Sequence, residues 1–183
     1  MNNDDLKTLE DSFDLIAPRG EELMDVFYER LFVAAPAVAP LFARSDLKHQ
    51  KTKLLATLVL LRKSLRDLES ITPKLRQLGA KHVAYGAQPE HYPVVAEVML
   101  ASLAEIAGDA WAPEIEQAWA HALNLVAAAM LEGASDAKAA AAADASARRA
   151  AAPATHKPAH RKPKPSRVSR TAATRLATAV WLV

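Results

Sequence analysis

Cysteine is absent from the 183-residue sequence. That removes disulfide frameworks, thiolate nucleophiles, iron–sulfur clusters and cysteine-ligated zinc together. Glycine is scarce, at five residues, and neither GxGxxG nor GxxxxGK(S/T) occurs, so no glycine-rich loop is available to cradle phosphate. No apolar run approaches the roughly eighteen residues that span a bilayer. The first turns carry Asp4, Asp5, Glu10, Asp11 and Asp14, the opposite of a secretory leader, and the expected location is cytoplasmic. What is present suffices for a folded domain. Apolar residues make up 51% of the chain and charged residues 24%, enough to bury a sizeable core and to exclude wholesale disorder.

The formal net charge of +2 conceals two unlike regions. Residues 1–133 hold 13 Lys and Arg against 19 Asp and Glu, a net of −6. Residues 134–183 hold 10 against 2, a net of +8. The composition breaks at the same place. Residues 134–152 contain twelve alanines in nineteen positions, and 153–170 interleave Pro, Lys, Arg and His. Such a segment buries too little apolar surface to offset its ordering entropy, although its alanines alone support a fraying helix. The expectation is a domain over 1–133 and a mostly disordered basic tail over 134–183. Within the tail, Val168, Ala172, Leu176 and Val180 recur every fourth residue, a spacing that allows a short amphipathic helix over 166–183.

Residues 1–133 read as helices throughout. Leu6, Leu9, Phe13 and Ile16 form one stripe, closed by Pro18. Leu23, Val26, Phe27 and Leu31 form a second, from Gly20. Pro36 opens a short segment ending near Phe42. Asp46 is placed to cap a long helix with Gln50, Leu54, Thr57, Leu58 and Leu61 on its inner face. Thr72–Pro73 reads as the next start, with Gly86 past its end. Pro89–Glu90 opens a helix to Gly108, and Pro113–Glu114 opens the last, to Gly133. No strand-like alternation competes, so the class is all-α with six or seven helices.

Four residues stand out on these stripes: Tyr28, Phe42, Gln50 and His82. Taken singly, each has an ordinary explanation as a core aromatic, a surface amide or a satisfied histidine. Their joint spacing is more specific. Pro36, Phe42 six residues on, Tyr28 fourteen before that, the LGAKH segment at Leu78–His82, HYP at His91–Pro93 and AW at Ala118–Trp119 together resemble the globin family over about residues 4–133. The likeness is strongest to bacterial single-domain globins akin to flavohaemoglobin haem domains and to neuroglobins.

The resemblance implies a globin fold without its small fourth helix and a haem b (iron protoporphyrin IX) cofactor. It implies His82 as the axial ligand, held by a backbone carbonyl near Leu78. Phe42 would stack on the macrocycle, Leu54 would crowd the ligand, Lys53 would sit by a propionate, and Tyr92 and Val95 would complete the pocket. Tyr28 and Gln50 become hydrogen-bond donors to a gaseous ligand, each neutral bond slowing its release roughly three- to tenfold. Two departures matter. The glutamate that buttresses the histidine in flavohaemoglobins falls at about Ala134, with Glu132 two residues off. Nor does the sequence after Gly133 have the composition of a flavin or nicotinamide domain. His49 is an alternative sixth ligand if the helix register shifts by one residue, whereas His91, His121, His156 and His160 read as structural or solvated.

The implied function is tight, reversible dioxygen binding for transport or storage, with carbon monoxide and nitric oxide as further ligands. Nitric oxide dioxygenase-like turnover would need an external reductase. A second reading is a haem-based gas or redox sensor whose basic tail contacts an anionic membrane or nucleic acid.

Overall fold

The computed structural model describes residues 1–151. The expectations for 152–183, disorder and the amphipathic stretch 166–183 included, lie outside the described residues. α1 (Asn3–Ile16) begins at a reciprocal cap: the Asn2 side chain accepts the Asp5 N–H at 2.7 Å and the Asp5 carboxylate accepts the Asn2 N–H at 3.1 Å. A 3-10 turn at Ala17–Arg19, with Pro18 inside it, leads into α2 (Gly20–Ala34). Another turn, Ala39–Phe42, is followed almost directly by α3 (Leu47–Ser64), so the small helix expected to be missing is missing. Asp46 caps α3 by accepting from the Lys48 and His49 N–H groups. α4 (Leu68–Ala84), α5 (His91–Ala107) and α6 (Pro113–Ala151) follow. No strand occurs among the described residues.

Two helix ends differ from the sequence expectation. α4 starts at Leu68, not at Thr72–Pro73: Asp67 accepts the Ser70 N–H at 3.3 Å, and Ile71 is buried a turn later. Pro73 sits in the second turn on the exposed side, where water can satisfy the Glu69 carbonyl that loses its partner. The last helix does not stop at Gly133 but continues to Ala151. Gly133 is buried against α4, and the alanines beyond it have the highest helix propensity available. At 39 residues, α6 is about 58 Å long.

The core joins Leu9, Phe13 and Ile16 of α1 to Leu23, Met24 and Phe27 of α2, Leu103 of α5 and Trp119 of α6. A polar seam within it is satisfied: Trp119 donates its indole N–H to Ser12 Oγ at 3.0 Å, and that hydroxyl donates to the Leu9 carbonyl. α2 packs on α5, and α4 packs more extensively on α6 than any other pair. The result leaves a space between α2, α3, α4 and α5.

Candidate functional site

That space is an apolar cavity of about 160 Å³. Tyr28, Phe42, Leu54, His82, Tyr92 and Val95 line it, six of the pocket residues that the resemblance implies. They arrive from four helices and a turn, over a sequence span of 68 positions.

His82 lies near the end of α4, with its Nδ1 2.9 Å from the Leu78 carbonyl oxygen. A carbonyl only accepts, so the proton belongs on Nδ1 and the lone pair on Nε2. Burial pushes the imidazole pKa below its usual value, an effect the Leu78 bond partly opposes. Burial favours the neutral ring and the Leu78 bond fixes its orientation, and a metal requires both. Gly86, at φ 89°, turns the chain out of α4, and a side chain there would press on Leu41, another wall residue.

Tyr28 is 4% exposed and sits in an aromatic cluster. Its ring meets Phe42 nearly edge-on at 5.7 Å and Phe32 at 5.9 Å, while Phe32 and Phe42 stand 5.5 Å apart. Burial drives the phenol pKa up to about 12, so it remains an O–H donor. Gln50 is 2% exposed, one turn before Leu54 on α3, whereas His49 beside it is exposed. Thus the register set by the Asp46 cap turns Gln50 inward and His49 outward. Gln50, Lys53 and Leu78 are not wall residues; Lys53 is half-buried, and Leu78 acts through its carbonyl.

Further wall residues escaped the sequence reading. Leu31 follows Tyr28 by three residues and was legible as its neighbour. Val38, Leu41 and Met130 look like ordinary core residues in sequence. His91, expected to be structural or solvated, stands half-buried at the cavity rim, where its Nδ1 accepts the Gln88 N–H at 3.2 Å. Tyr92, half-buried beside it, has its pKa raised by burial.

A larger groove, about 620 Å³ between α2 and α5, is a surface feature lined by Val33, Glu97 and the Arg30–Glu105 ion pair. Among the described residues no three His, Asp or Glu side chains could together hold a metal ion. A neutral, part-buried imidazole in an apolar, aromatic-walled cavity suits a metal whose other ligands come with it, as in haem. A porphyrin needs more room than 160 Å³; of the wall residues, Leu41, Leu54 and Phe42 are half-buried and Val95 is exposed, so none of these four is locked in the core.

The family profile described as Globin matches residues 25–130. The flavohemoprotein of Bacillus subtilis is 29% identical over 133 residues, covering 72% of this chain and 33% of that protein. That of Rhizobium meliloti is 33% identical over 115 residues, covering 62% and 28%. The chain therefore spans about a third of the length of these curated relatives. Among solved structures, a bacterial globin from Campylobacter jejuni superimposes with a TM-score of 0.65 at 21% identity, over 74% of this chain and 97% of that one. An engineered carbene transferase from Rhodothermus marinus, described as a candidate nitric oxide dioxygenase, gives 0.70 at 20%, over 78% and 99%. Both structural likenesses are of fold.

Proposed function

The chain belongs to the globin family, a haem-binding fold whose iron takes gaseous ligands, and on that premise we propose that it binds haem b through His82 and holds dioxygen tightly. Haem iron, when bound, supplies the gas-binding and redox chemistry. The residues supply the rest. Leu78 orients His82 and fixes its tautomer. Phe42 would hold the macrocycle by packing against it, and Leu54 would keep water from the ligand side. Tyr28 presents an O–H that burial keeps protonated, and Gln50 presents an amide N–H from the next helix. The carrying observation is the cavity that has His82 and Tyr28 in its walls, with Gln50 turned inward on α3.

With an external reductase, the same arrangement supports conversion of nitric oxide to nitrate, NO + O₂ + e⁻ → NO₃⁻. The Tyr28 O–H and the Gln50 amide would supply hydrogen bonds to negative charge developing on a gas held in the cavity. Stopped-flow dioxygen release from the haem-loaded chain tests the binding reading: Tyr28→Phe should release dioxygen several-fold faster. Nitric oxide consumption beyond one equivalent, only with an added reductase, tests the turnover reading; no reductase-dependent turnover leaves dioxygen binding alone.

One observation favours a sensor as the second reading. α6, packed on the helix of His82, runs unbroken into an exposed stretch ending at Ala151. Ligation at the cavity would then alter what the basic C-terminal residues contact. Unchanged liposome and DNA binding after deletion of 152–183 would remove it.

A further inference from the structure

α4 and α6 run antiparallel and meet where neither has a side chain. A Cβ on Gly79 would stand 1.8 Å from the Met130 carbonyl oxygen, and one on Gly133 would stand 1.9 Å from the Arg76 carbonyl oxygen. The contacts mirror each other, because each glycine lies against the carbonyl of the residue three before the other glycine. Both glycines are buried. The hydrogen replacing each Cβ points at a carbonyl oxygen, the arrangement of a weak Cα–H···O contact. Real Cβ atoms stay beyond 3.0 Å. The obstacle here is backbone and cannot rotate aside, so a methyl group at either glycine forces the helices apart by roughly 1 Å or more.

Both helices carry a wall of the cavity at this crossing. Gly79 directly follows Leu78, whose carbonyl holds the His82 ring, and lies three residues before His82 itself. Met130, whose carbonyl meets Gly79, also lines the cavity. Arg76 adds charge across the same junction, 3.1 Å from Asp136 and 3.6 Å from Glu132. We infer that Gly79 and Gly133 are positioning residues for His82: their backbone-to-backbone contact sets how far the imidazole stands into the cavity and how far it lies from Met130. The inference rests on His82 being the axial ligand of the proposed haem.

Gly79→Ala and Gly133→Ala in the full-length chain test it, with Leu103→Ala as a core substitution remote from the crossing (0% exposed). Misplacing a reacting group by 1 Å costs up to about a hundredfold in rate, so each glycine variant should change carbon monoxide association by about tenfold and shift the iron–histidine stretching band. In the haem-free chain, the ring ¹⁵N signals of His82 should shift as the Leu78 bond changes. Leu103→Ala should lower stability and leave all three readouts in place. Folded glycine variants with band, rate and ring signals like the parent's overturn the proposal. Should neither variant fold, Arg76→Gln loosens the same junction without adding an atom to it. A broadened band is then expected, and an unchanged one overturns the proposal. Haem retained in His82→Gly with its spectrum unaltered would instead count against His82 as the ligand, and the ring-nitrogen readout would still stand.

Discussion

On one side of the cavity, His82 stands on a helix whose backbone touches α6 through two glycines. On the other, Tyr28 is held by the edges of Phe32 and Phe42, and Gln50 by the burial of its face of α3. The first wall owes its geometry to missing side chains and has almost no freedom to adjust. The second is made of side chains that can be exchanged one at a time. On the proposed reading, position is set at α4 and α6, while affinity is tuned at α2 and α3.

The largest effect separating the two walls is expected at His82. In His82→Gly, haem affinity should fall by at least the roughly ten- to hundredfold that losing a ligand's outer partner costs, and added imidazole should restore the Soret absorption. Haem retained without imidazole would break the contrast at its root. Next come the donors. Tyr28→Phe should speed dioxygen release roughly three- to tenfold and Gln50→Leu somewhat less, with haem retention unchanged in both, as stopped-flow mixing would read. Because the two donors share one ligand, the double variant should fall short of the product of the singles.

A finer distinction concerns pH. With its pKa raised to about 12 by burial, Tyr28 should keep its proton as pH rises through 10, where an ordinary phenol loses it. Dioxygen release should then stay level across that range, and a rise in rate centred near 10 would place Tyr28 in water. The smallest effect lies outside both walls. Asp14 and Glu10 of α1 pair with Arg62 and Arg66, and those guanidinium groups hold both carboxyls below their ordinary pKa. A lowered folded pKa contributes stability above the unfolded value, and that contribution is lost as pH falls through the folded one. The pairs are exposed, so the effect is small. Asp14→Asn should lower the urea midpoint slightly at neutral pH, and by less as pH falls from the unfolded pKa through the lowered folded one.

Much of the ligand-side wall was legible because it is written in side chains. Phe42, Tyr28 and Gln50 are rare types on apolar stripes, and the Asp46 cap fixed the register that buries Gln50 and exposes His49. On the opposite side only His82 and the Leu78 carbonyl that holds it were legible. Gly133 reads locally as a helix stop, and nothing near it in sequence reveals that its missing Cβ admits the Arg76 carbonyl from another helix. Thr72–Pro73 misled in the same way: a good local start signal was outweighed by the Asp67 cap and the burial of Ile71. His91 and Met130 join the cavity through tertiary packing that neither residue's neighbours announce.

The absorption spectrum of the haem-loaded chain, reduced with dithionite under argon, tests the central claim most directly. A single broad visible band, lost in His82→Gly, is the predicted result and means one axial imidazole with the Tyr28 side open to gas. A sharp split pair of bands would mean a second internal ligand and would contradict the outward placement of His49, and no Soret band at all would contradict haem binding itself.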